Sequence, residues 1–211
     1  EIKLFAGAVI ANLSNVWDRT LNDVASLSWG IVGPYSDQFP QTDVASLPFV
    51  GGESFASSVA LWRLFSQGLI RDSWDKVKPL ALFNFPPTAI HSNKPIKALD
   101  DFKGMKIAVA LRNLSGMVDL FGAAPVTIQT AEMYQAAQRG AVNAIAVGWG
   151  AFPAFKFEEV TKFHLDGAFG DVPAFIIMNK DAYQRLPAKA RQAIDGLSGE
   201  AFSLRMGKVA D

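Results

Sequence analysis

Ser92–Ala144, SNKPIKALDDFKGMKIAVALRNLSGMVDLFGAAPVTIQTAEMYQAAQRGAVNA, carries the alternation that decides the fold. Ala98–Gly104 reads as a short amphipathic turn of helix closed by a glycine, and Met105–Leu111 as an apolar run of strand length. Leu114–Gly122 has helical character and again ends at glycine, with a second short strand at Ala124–Ile128. Thr130, followed by Met133 and Tyr134, opens another helix that stops at Gly140. Strands and helices of this length in alternation put the chain in the α/β class, with a mainly parallel sheet covered by helices.

Working outward, Ile2–Val9 reads as a strand, Ser14–Arg19 as the start of a helix and Leu27–Ile31 as a strand. Phe55–Gln67 carries Val59, Trp62 and Phe65 at helical spacing, which marks a buried helix face. Further strands are expected at Val77–Phe83, Thr88–His91, Val142–Val147, Phe163–Asp166 and Ala174–Met178. A helical turn or two falls at Ala151–Phe157, and a helical region begins at Asp181. Glycine and proline gather at Pro48–Gly52 and Phe85–Pro87, where the chain must turn.

Lys and Arg number 20 and Asp and Glu 20, so the formal net charge is zero and no basic field exists to hold a nucleic acid. Half of the residues are hydrophobic, enough for a sizeable core. Cysteine is absent, which excludes disulfides and thiolate metal sites and suits an oxidising compartment. The apolar runs are too short to span a bilayer. Glu1-Ile2-Lys3 leads directly into the first expected strand, as in a processed secreted protein. The two histidines, His91 and His164, have no metal-ligand spacing, and no nucleophile elbow or phosphate-cradling glycine motif occurs. No metal, cofactor or catalytic residue is expected, and the chain is read as a binder that leaves its ligand unchanged.

The order KPI, DDFKGMKI, GAAPV, EMYQAAQRGAVNA resembles the solute-binding proteins of tripartite ATP-independent periplasmic (TRAP) transporters, the DctP-like family. LSWGIVGPYSDQFPQTDVASLPF (27–49), ALWRLF (60–65) and FIIMNKDAYQRLP (175–187) extend the likeness over most of the chain. The resemblance implies a two-lobed periplasmic-binding-protein-like fold with a ligand cleft between the lobes. Residues 1–91 would be mainly lobe I, 92–179 mainly lobe II with crossing strands, and 180–211 a terminal helical region. It implies a monomeric periplasmic protein that captures a small organic molecule and hands it to TRAP membrane permease subunits. The alternative is an extracytoplasmic sensory ligand-binding domain. Against the family pattern, a segment long enough for a helix and a strand is missing between Arg19 and Leu21, and the last helical pattern stops early. Removed segments explain this better than a naturally small lobe, which would leave a sheet edge unpaired.

Ligand contacts are expected from the aromatic residues at strand ends, where ligands dock in α/β sheets. Trp29 precedes a glycine and the PYSDQFP loop, and Trp149 stands between Gly148 and Gly150. Phe49, Phe83, Phe85 and Phe175 are further candidates by position, each also fitting the core. Family members usually read GxKIR where this chain has Gly104-Met105-Lys106-Ile107-Ala108, so the carboxylate-gripping arginine is replaced by Ala108. Leu111 and Val147 stand where relatives carry polar side chains, and Asn143 stands for an aspartate. The resulting pocket favours a ligand with an apolar or aromatic body, an aromatic or aliphatic acid among the candidates. Its charge would be read by Arg112, or otherwise by His91 or helix N-terminal amides near Ser115.

Overall fold

The computed structural model describes residues 3–211, apart from the side chain of Arg112. Among them are eight strands: β1 (Leu27–Ile31), β2 (Lys78–Phe85), β3 (Ala89–Ser92), β4 (Lys106–Val109), β5 (Ala124–Thr127), β6 (Ala144–Val147), β7 (Phe163–Leu165) and β8 (Val172–Met178). The helices are α1 (Val16–Leu21), α2 (Pro40–Asp43), α3 (Ser54–Ser66), α4 (Arg112–Leu120), α5 (Thr130–Gln138), α6 (Phe152–Phe155), α7 (Lys180–Gln184), α8 (Ala188–Leu197) and α9 (Glu200–Ala210). Two compact units result. One gathers residues 1–45, 53–84 and 172–211, and the other 46–52 and 85–171.

The first unit has a three-stranded sheet in the order β1-β8-β2. β1 runs antiparallel to β8, with Gly30 opposite Phe175. Phe175 is fully buried with Trp17, Phe39 and Trp74 in one aromatic cluster, in which Trp17 meets Phe39 edge to face at 4.7 Å. Gly30 is required here, because a Cβ at that position would lie 2.6 Å from the tip of the Phe175 ring. At the other margin, β2 has backbone N–H groups without a strand partner, and buried helix serines take them. The Asn84 N–H donates to Ser58 Oγ of α3 at 2.9 Å, and the Leu82 N–H to Ser203 Oγ of α9 at 3.2 Å.

The second unit has a five-stranded sheet in the order β5-β4-β6-β3-β7. β5, β4 and β6 are parallel, while β3 runs antiparallel to both β6 and β7. Asn143 extends the β4–β6 ladder: its side chain accepts from the Lys106 N–H at 2.7 Å, and its own N–H donates to Lys106 O at 2.7 Å. An aspartate would serve as acceptor equally well, so this departure from the family pattern keeps the local structure. Met133, Ala137, Val142, Ile145 and Phe157 pack over the sheet as one apolar cluster.

Several expectations are corrected. Residues 3–9 form no strand and are exposed, whereas Ile2 lies outside the described residues. The strands are not mainly parallel: β3 runs antiparallel to β6 and β7, and β1 runs antiparallel to β8. The chain leaves the first unit after Asn84 and returns to it at Val172.

Candidate functional site

The second unit assembles two imidazoles and two large aromatic rings from separate parts of the chain. His91 of β3 and His164 of β7 are directly opposite each other in the antiparallel ladder. Their side chains therefore leave the same face of the sheet. His91 Nδ1 lies 2.9 Å from His164 Nδ1, and His91 Nε2 lies 3.1 Å from Val147 O at the end of β6. Beyond Val147, the extended Gly148 leads into a short turn at Trp149–Ala151 and then α6, whose Pro153 suits a first turn. That path brings Trp149 and Phe152 back over the imidazoles.

The ring centroids of Trp149 and Phe152 lie 4.8 and 4.5 Å from that of His91, and 4.9 and 5.7 Å from that of His164. Trp149 and Phe152 are themselves 5.0 Å apart. Within this cluster His91 is completely buried, while Trp149 keeps 40% of its surface exposed. His164 is exposed as well. A Cβ at Gly150 would meet nothing within 4 Å, so the backbone beside the indole is open.

The protons follow from the partners. A carbonyl can only accept, so His91 Nε2 is the N–H donor to Val147 O. A neutral His91 then has a lone pair on Nδ1, and His164 Nδ1 must be the donor between the rings. Desolvation is the main reason that His91 is held down at about 4, with the proximity of His164 adding to it; the Val147 carbonyl and Asp166 pull the other way. The arrangement thus offers a partly exposed indole face, apolar walls and an accessible imidazole hydrogen-bonded to a buried one. Such a surface can stack a flat ring and direct a hydrogen bond at an acidic substituent.

The family model for bacterial extracellular solute-binding protein family 7, DctP, matches residues 1–210. The chain belongs to this family. A protein of Comamonas testosteroni named outer membrane transporter protein TsaT is 30% identical over 197 residues, which are 89% of this chain and 57% of that protein. A TRAP solute-binding protein from Rhodoferax ferrireducens T118, solved in complex with copurified benzoate, matches with a TM-score of 0.88 at 30% identity. The match covers 95% of this chain and 64% of that one. A marine metagenome TRAP solute-binding protein, described as specific for aromatic acid ligands and co-crystallized with 3-hydroxybenzoate, also gives a TM-score of 0.88, at 27% identity, over 95% and 64% of the two chains. The chain therefore spans less than two thirds of the length of these relatives. The two-lobed α/β fold implied by the sequence is borne out by these solved family members.

As a family 7 chain, it places the expected contact residues unevenly. His91, Val147 and Trp149 come together, with Phe152 and His164 as members that sequence reading missed. Ala108, where the usual arginine is absent, is fully buried in the apolar cluster with Met133 and Ile145 and presents no surface to a ligand. Phe175 is corrected likewise, because it fills the space over Gly30 in the other unit's core. Phe83 is buried too. His91 also presents no surface of its own. Leu111 is buried just before α4, whose first residue is Arg112; the Arg112 side chain lies outside the described residues. Phe49 is 76% exposed in left-handed backbone, φ 66°, on the 46–52 loop. Asn113 Nδ2 secures that loop by donating to Ser46 O at 2.6 Å. Phe85 ends β2 half-buried, and Trp29 on β1 is 55% exposed. Among the described residues no group of three or more His, Cys, Asp or Glu is placed to hold a metal ion, and no helix is long and apolar enough to cross a membrane.

Proposed function

We propose that this chain is the binding part of a periplasmic TRAP solute receptor for small aromatic carboxylic acids. The observation that carries the reading is the partly exposed indole of Trp149, walled by Phe152 and the imidazole pair, in a chain whose position 108 holds a buried methyl group instead of an arginine. A flat ring gains dispersion and edge-to-face contact on such a wall, whereas a dicarboxylate gains little and must be stripped of water. Relatives at 30% and 27% identity were solved with benzoate and 3-hydroxybenzoate. The ligand leaves unchanged and passes to TRAP permease subunits, and the receptor works as a monomer.

Thermal shift with benzoate, 3-hydroxybenzoate, succinate and glucuronate tests the proposal, because a ligand that binds only the folded state raises the melting temperature by mass action. The aromatic acids should raise it in a concentration-dependent way and be recovered chemically intact. A shift with succinate and none with either benzoate would overturn the reading.

A further inference from the structure

The sequence marks His164 only as a histidine without metal-ligand spacing. The two hydrogen bonds of His91 give it a more specific position. His91 cannot take a second proton without setting an N–H of its own against the N–H of His164 at 2.9 Å, and it would carry the charge among buried rings. His164 is free of both penalties. Protonation at its Nε2 leaves the Nδ1–H bond to His91 intact, and the ring is exposed. Its centroid lies 4.9 Å from that of Trp149, with the two rings tilted at 55°. Of the charged groups near the pair, the Asp166 carboxylate favours a proton on His91, while the neighbouring His164 disfavours it.

We infer that His164, held in place by His91, is the group that reads the ligand's charge, becoming an imidazolium as an aromatic carboxylate settles against Trp149. This rests on the aromatic-acid reading above and supplies the cation that Ala108 withholds. The proton comes from solvent and stays on His164 Nε2; no covalent bond is made or broken. His91 is a positioning residue, which fixes the tautomer and direction of His164. Binding is thereby coupled to proton uptake, and capture is strongest in mildly acidic surroundings.

Calorimetry of the intact protein with benzoate, in two buffers of different ionisation enthalpy, reads the proton directly. Uptake should approach one proton per benzoate on the alkaline side, where affinity falls by about tenfold per pH unit. His164→Gln should lower affinity in mild acid and flatten the pH profile. A histidine-proton NMR titration, with and without benzoate, should show one ring titrating at higher pH in the complex, and this readout needs no variant. Equal benzoate affinity at about pH 6 and about pH 8.5, with no proton uptake and an unaltered His164→Gln, would overturn this inference and leave the aromatic-acid reading standing. Failure of any aromatic acid to bind at any pH would overturn both.

Discussion

Gly207 of α9 lies so close to Phe55 of α3 that a Cβ added to the glycine would sit 2.6 Å from the Phe55 Cα. The two helices can approach this closely only because position 207 carries no side chain. Their contact lets Ser58 and Ser203, one on each helix, reach the edge of β2 together.

Gly207→Ala should therefore destabilise the fold. Alanine improves helix propensity by about 1 kcal/mol, but overpacking against backbone atoms costs about 1–3 kcal/mol and cannot be relieved by a rotamer change. Gly196→Ala in α8 is the control, since a Cβ there meets nothing within 4 Å. Urea midpoints should move down for the first substitution and slightly up for the second. A stabilised Gly207→Ala would mean that α3 and α9 pack less closely.

Acid should weaken the fold through His91. An imidazole in the unfolded chain titrates near 6.5, whereas His91 in the folded chain is held at about 4. Between these values the unfolded chain binds a proton that the folded chain refuses, so protonation favours unfolding. The stability contributed by neutral His91 is fully present above about 6.5 and is lost progressively as the pH falls towards 4. Urea midpoints measured downward from neutral pH should fall in wild type, and less steeply in His91→Gln, before carboxylates begin to titrate. Parallel slopes would show that His91 is accessible to protons in the folded state.

The α/β alternation was legible because it is local: Leu27–Ile31 has its observed bounds, and β4 to β6 with their helices follow glycine and apolar-period signals. Residues 3–9 misled, because a run such as Lys3–Val9 shows an apolar character but nothing of whether a partner strand exists. The unit boundaries were hidden for a related reason. They depend on distant contacts such as Asp211 Oδ1 accepting from the Ser54 N–H at 3.0 Å, which no local pattern announces. His164 in Phe163-His164-Leu165 resembles an ordinary solvent-facing strand position. Only the β3–β7 register makes it the partner of His91.

Restoring the family's arginine should fail. Ala108 is completely buried among Met133, Val142, Ile145 and Phe157, so a guanidinium there must either enter an apolar cluster or force it open. Ala108→Arg should cost several kcal/mol in urea unfolding, as expected for a buried charge without a partner. A variant with an unchanged midpoint that gains succinate binding would show that position 108 faces reachable space.

Trp149 offers the sharpest separation of ligand contact from packing. Its ring touches Phe152, His91 and His164, yet the residue remains 40% exposed, so truncation opens little closed volume in the core. Trp149→Ala should lower benzoate affinity by about 1–3 kcal/mol while shifting the unfolding midpoint much less. Trp149→Phe keeps a π face and should recover part of the loss. Calorimetry for affinity and urea unfolding for stability must be run on the same preparations, because a destabilised chain also binds less. Wild-type tryptophan fluorescence should change as benzoate is added, and part of that response should disappear in both variants. If Trp149→Ala lost stability but bound benzoate as wild type does, the indole would belong to the packing of the imidazole pair and the ligand would rest elsewhere.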